Sequence, residues 1–159
     1  IEDATAGKAS ASDMYIEKTI TPHNAEQGVY KVIISYYGRT NKKSEYFSLA
    51  DFIPSGAKYH YMSSGGQWKN EGDIYTSAYI SNSGQNIFGG ISVWIDRNGE
   101  FNGDTYFEFS GEISYFIRSA IQGEFVCPPV VAVNTSSNTY ALSKGFKVKI
   151  LSDMWEIID

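Results

Sequence analysis

The feature that most constrains this chain is its punctuation. From Asp13 onward, short apolar stretches alternate with clusters of Gly, Asn, Ser and Asp at intervals of about 8–15 residues, and no window keeps helical spacing for three turns. Strands this short bury their apolar faces only by stacking into a sandwich or closing into a barrel. The expected fold is therefore all-β, an antiparallel Ig-like β-sandwich of about seven to nine strands.

Several stretches carry the period of two that such a fold needs. Residues 29–37 place Tyr30, Val32, Ile34 and Tyr36 on one face, with Val29, Lys31, Ile33, Ser35 and Tyr37 on the other. Phe146, Val148 and Ile150 alternate with Lys147 and Lys149, the pattern of a strand with one wet face. Residues 87–95 and 112–121 are apolar on both faces and are expected as central strands, with Ile113, Tyr115, Ile117 and Ile121 sharing one side. Residues 49–52 have room for a single helical turn. Asn98-Gly99 and Asn102-Gly103 are tight-turn pairs, and residues 63–66 and 81–86 read as surface loops. Pro128-Pro129 lack ladder donors and must fall at a strand edge or end. Residues 1–12, small and polar, form a linker or tail, leaving 13–159 as one domain.

Composition narrows the function classes. The 159 residues carry 13 basic and 18 acidic side chains, a net charge of −5, so no global basic field draws nucleic acid or an anionic membrane. With 42% hydrophobic and 15% aromatic residues against 19% charged ones, the chain is not intrinsically disordered. No apolar run approaches the ~20 residues of a membrane-spanning helix, and no signal sequence is present, so no direct membrane insertion is expected. The chain opens on Ile1 rather than Met, which points to a fragment or a processed form.

Reactive constellations are sparse. A single cysteine, Cys127, excludes an internal disulfide and a cysteine-based zinc site. It has apolar neighbours and no Lys, Arg or His within three residues, the setting of an inert buried thiol. His23 and His60 sit in no triad context, and no G-x-S-x-G elbow occurs. Glu108 and Glu112 are the best location for a glycosidase-like carboxylate pair, but acids beside aromatics on strands are usually structural. Asp96, Asn98, Glu100 and Asn102 alternate as hard-cation ligands do, yet Phe101 and Phe107 occupy the places where an EF-hand needs Gly and Glu. A polar hairpin loop is the expectation there, with no catalytic residue, metal or cofactor. Trp68, Tyr75, Tyr79 and Trp94, in or beside loops, either fill the core or form a stacking platform for carbohydrate, Trp68 being the best exposed contact residue.

Three stretches in order carry a family resemblance: Val29-Tyr30-Lys31-Val32-Ile33-Ile34, then Asp51-Phe52-Ile53-Pro54-Ser55-Gly56, then the run from Glu112 to Pro129 containing Tyr115, Arg118, Gly123 and Phe125. They resemble the carboxy-terminal β-sandwich, the macroglobulin-like domain, of bacterial alpha-macroglobulin-type surface proteins, in which a D-x-[IL]-P-x-G corner precedes a Y-x-x-R-x-x-x-x-G-x-[FY] segment that runs into prolines. The resemblance implies structural roles: Pro54 and Gly56 build a corner, Tyr115 packs inside or bonds across one, and Gly123 turns the chain before Phe125. Cys127 is followed by Pro128-Pro129-Val130, so the C-x-E-Q thioester motif of that family is absent from this chain. What the resemblance implies is a non-catalytic module of an extracellular or cell-surface protease-trap protein, partnered by other domains of the same polypeptide or by other proteins. A carbohydrate-binding or adhesin-type sandwich is the competing expectation.

Overall fold

A computed structural model describes residues 14–24, 27–64, 66–96, 106–151 and 155–158, the side chains of 62–68 and 71 aside. Among the described residues every element is a strand: β1 (Met14–Asn24), β2 (Val29–Thr40), β3 (Ser44–Phe52), β4 (Ala57–Ser64), β5 (Gly66–Glu71), β6 (Ile74–Ser83), β7 (Asn86–Ile95), β8 (Phe107–Ser119), β9 (Gly123–Cys127), β10 (Val131–Asn134), β11 (Thr139–Leu142), β12 (Phe146–Ile150) and β13 (Trp155–Ile157). They form a four-stranded sheet in the order β1-β2-β8-β4, a six-stranded sheet β11-β10-β3-β7-β6-β5 and a small sheet β13-β12-β9. All pairings are antiparallel.

The two larger sheets enclose the main core. From one come Tyr30, Val32, Ile34 and Tyr36 of β2 with Ile113, Tyr115 and Ile117 of β8; from the other come Phe47 and Leu49 of β3 with Ile87, Ile91 and Val93 of β7. These are the period-two positions of their strands, and their removal from water is the main force holding the layers together. A second cluster of Cys127, Val148 and Ile150 lies under the small sheet, with Phe125, Phe146, Trp155 and Ile20 packed against it. The strand over residues 87–95 is interior to the six-stranded sheet and β8 is interior to the four-stranded one, as their two-sided apolarity requires.

The structure departs from expectation in four places. Among the described residues thirteen strands occur rather than seven to nine, because the chain adds a third sheet and breaks its later course into pieces of five residues or fewer. Residues 49–52 form no turn; they continue β3, where alternation buries Leu49 and Asp51. Residues 81–86 are not a long loop but the ends of β6 and β7, with Gly84 at φ 62° in the turn between them. Ile121 does not share the face of Tyr115: β8 stops at Ser119 and Ile121 is 60% exposed. Residues 1–12 and both Asn-Gly pairs lie outside the described residues.

Ile91 is fully buried at the centre of β7. Ile91→Ala is expected to cost about 2–5 kcal/mol through lost burial and the cavity left behind, read as a lowered urea midpoint at unchanged m-value.

Candidate interaction surface

Among the described residues the buried charges form one group, at the contact of the two main sheets. Lys18 points inward from β1 on the same face as Met14 and Ile16, and its Nζ donates to Asp51 Oδ1 at 2.6 Å, with both side chains withdrawn from solvent. The same ammonium donates to the carbonyls of Phe52 at 3.3 Å and Pro128 at 3.1 Å, while the Tyr115 hydroxyl donates to Asp51 Oδ2 at 2.6 Å. Each ammonium proton thus has an acceptor and each carboxylate oxygen a donor, the condition under which a buried ion pair is tolerated. β1 and β8 belong to one sheet and β3 to the other, so the cluster clamps the sandwich across its layers.

Burial, then the Asp51 charge and hydrogen bond, hold the Tyr115 hydroxyl well above its ordinary value. Burial also raises the Cys127 thiol, against an opposing pull from the Lys18 ammonium. Local sequence around Cys127 gives no sign of that cation, which arrives from β1. The cluster is a structural device: its polar atoms face one another, not a cavity.

The residues of the two short motifs meet in space. Asp51 bonds to Tyr115; the Pro54 carbonyl accepts from Ala57 N–H at 3.0 Å to close the corner; and the Gly56 carbonyl accepts from Ala120 and Ile121 N–H at 2.8 and 3.1 Å. The ring of Phe125 lies on Gly56 so closely that any side chain at 56 would collide with it. Gly123 opens β9 with φ at 141°, a conformation that side chains rarely adopt. Arg118 stays exposed on β8, opposite Val29 and Lys58.

Glu108 and Glu112 both point outward from β8, exposed on the open face of the four-stranded sheet rather than facing each other across a cleft. His23 packs on Phe116 at 4.4 Å and His60 on Tyr61 at 4.8 Å between ring centres, both as aromatic contacts. Asp96 is exposed, whereas Asn98, Glu100 and Asn102 lie outside the described residues, as does the Trp68 side chain. Among the described residues no group of three or more His, Cys, Asp or Glu converges as a metal site.

Tyr75, Tyr79 and Trp94 are neither in loops nor in the core; they stand on the outer face of the six-stranded sheet. On its three central strands β3 turns out Ser44, Tyr46, Ser48, Ala50 and Phe52; β6 turns out Tyr75, Ser77, Tyr79, Ser81 and Ser83; β7 turns out Asn86, Phe88, Gly90, Ser92 and Trp94. None of these fifteen is charged, none is a branched aliphatic, six are aromatic and nine carry a hydroxyl. Tyr75 and Trp94 stack at 5.4 Å with planes 9° apart, and the Tyr46 and Tyr79 hydroxyls share a hydrogen bond at 3.2 Å. That bond, with partial burial, raises the Tyr46 hydroxyl above its usual value. The outer face of the four-stranded sheet is the opposite, with Glu17, Lys31, Arg39, Glu108, Glu112 and Arg118 spread across it.

No protein-family model matches the chain, and no curated protein matches it in sequence. Among solved structures, the full-length major pilin SpaD from Corynebacterium diphtheriae superposes with a TM-score of 0.54 at 10% identity, covering 86% of this chain and 35% of the pilin. A non-cellulosomal cohesin from the hyperthermophilic archaeon Archaeoglobus fulgidus matches with a TM-score of 0.40 at 15% identity, covering 88% of this chain and 92% of its own. The pilin likeness establishes a shared β-sandwich fold, and this chain spans little more than a third of the pilin's length.

Two outcomes follow from the clamp. Lys18→Ala leaves the Asp51 carboxylate buried without its cation and is expected to cost about 3–5 kcal/mol; Lys18→Met with Asp51→Asn costs less than the sum of the single changes, a coupling read from a double-mutant cycle. In the second, Tyr115 and Tyr36, the latter pushed up to about 12 by burial, keep their protons in the native state where the unfolded chain loses them above about pH 10. The unfolded state then binds fewer protons, so the contribution of these two groups to stability is level below pH ~10 and falls as pH rises towards 12. Urea titrations across this range check it, and Tyr115→Phe makes the fall shallower.

Proposed function

We propose that this chain is a non-catalytic β-sandwich module of a larger cell-surface protein of alpha-macroglobulin type, with residues 1–12 as tether and 13–159 as one domain that docks against other domains of its own polypeptide. The observation that carries the reading is the interlock of two motifs 64 residues apart: Asp51 with Tyr115, and the Gly56 corner with the segment from Ala120 to Phe125. Of the residues that carry the resemblance, Asp51, Pro54, Gly56, Tyr115 and Phe125 take part in this interlock, which supports the reading, while Arg118 stays outside it. The likeness to a pilin supports a surface setting and an interaction role.

The docking side is the small sheet. Val126 is 61% exposed there, and with Ile158 it flanks Lys147 on the outer surface; Ile157 is exposed on the edge strand β13, and Ile121 in the turn before β9. Branched aliphatic side chains left in water beside paired Lys149, Glu124 and Glu156 have the make-up of a protein contact, an apolar centre within a polar rim.

In the parent polypeptide, Val126→Glu with Ile121→Lys is expected to release the module, so that limited proteolysis cuts residues 1–12 severalfold faster. The module's own urea midpoint should move little, since exposed substitutions stay within about 0.5 kcal/mol. An unchanged cleavage rate in the double variant would count against docking through this surface.

A further inference from the structure

We propose that the outer face of the six-stranded sheet binds a neutral polysaccharide, whose sugar rings lie on the aromatic rings of Tyr46, Tyr79 and Phe88 and whose hydroxyls bond to the tyrosine and serine hydroxyls around them. Three observations converge on this class of ligand. The first is charge: the chain carries −5 overall and the other large sheet is studded with ions, yet the fifteen outward positions of β3, β6 and β7 hold none. A face without fixed charge has no electrostatic attraction for an anionic polymer or a basic peptide and loses no ion hydration when a neutral chain covers it.

The second is the chemistry of what remains. Aromatic rings and hydroxyls alternate on β3, β6 and β7, which turn out no branched aliphatic, while Val131, Val133 and Leu142, half-buried, border this area on β10 and β11. A sugar ring offers one apolar C–H surface and a rim of hydroxyls, the complement of rings set among hydroxyls. The third is posture. Gly90 lies beneath Tyr46, where a methyl group would run into its ring and hydroxyl, so the ring lies along the sheet across β7 until its hydroxyl meets that of Tyr79 on β6. Tyr46, Tyr79 and Phe88 remain 44–47% exposed, which leaves ring surface open for stacking. This surface shares no residue with the docking side at the small sheet, so either can fail without the other.

Affinity electrophoresis of the whole chain tests the proposal, with gels containing hydroxyethylcellulose, galactomannan or β-1,3-glucan as neutral polymers and polygalacturonate as the anionic one. At least one neutral polymer is expected to retard the protein and polygalacturonate is not. Tyr79→Ala and Tyr46→Ala should each weaken retardation at least tenfold, Gly90→Ala severalfold by lifting the Tyr46 ring, and Val126→Glu not at all. Ser77→Glu, a surface change that removes no packing, should also abolish retardation and serves if an aromatic variant unfolds, as judged by circular dichroism. Absence of retardation in every neutral gel, equal retardation by polygalacturonate, or full retention in the Tyr46/Tyr79 double variant would each overturn it. Self-association of the chain lost in Ser77→Glu would also overturn it, by making the face a protein contact instead.

Discussion

Three side chains set the terms for the rest of the sandwich. A lysine on β1, a carboxylate on β3 and a tyrosine on β8 meet where water is excluded, and two backbone carbonyls complete the shell of the ammonium. Such a group contributes little net stability over a packed apolar substitute, because desolvation offsets most of the attraction. Its force lies in the penalty for any other arrangement. A register slip of one residue in β1 would turn Lys18 to solvent and leave the Asp51 carboxylate buried without its cation, with the Tyr115 hydroxyl as its remaining partner. The sheets are therefore fixed in stagger as well as in separation, and the Pro128 carbonyl ties the passage from the small sheet to the same point.

With the layers fixed from inside, the aromatic residues divide by face. Tyr30, Tyr36, Phe47, Phe109 and Tyr115 are buried between the sheets, while Tyr46, Tyr79 and Phe88 are left on the outside of one of them. Buried hydroxyls find partners, as in the bond that Tyr30 accepts from the Trp155 amide at 2.8 Å, which with Trp155 Nε1 donating to Ser119 Oγ at 2.6 Å fastens β13 to the main body. Outer hydroxyls remain at the water boundary, among serines. The same residue type thus serves adhesion of layers on one face and a hydroxyl-rich platform on the other, according to strand parity alone.

How much of this is legible in the residues depends on range. Period-two patterns at 29–37 and 146–150 place β2 and β12 and their buried sides directly, because alternation is a local property. The corner at Pro54 and Gly56 is legible for the same reason. Long-range partnership is not: Lys18 gains its meaning from Asp51 and Pro128, and the one signal for it is a lysine standing in the apolar phase of Met14, Ile16 and Ile20, easily passed over as an ordinary strand lysine. The parity of Tyr75 and Tyr79 is equally hidden, since β6 mixes serines and aromatics and gives no strong alternation until its neighbours bury Thr76, Ala78 and Ile80. Ile121 leaves its expected face because the carbonyl of Gly56, far away in sequence, captures the amides that would have prolonged β8.

The position of Lys18 along its strand also bears on how the fold carries load. Tension entering from the residue-13 side meets β1 first, where the ladder to β2 and the burial of Met14 and Ile16 in the main core both resist it. At the fifth residue the peel reaches an ammonium gripped by the opposite layer and by the Pro128 carbonyl, so unzipping must there expose an ion pair, break three hydrogen bonds at once and unseat the two-layer packing. Resistance along β1 thus steps up at its fifth residue, where a buried charge is added to the packing of Met14 and Ile16.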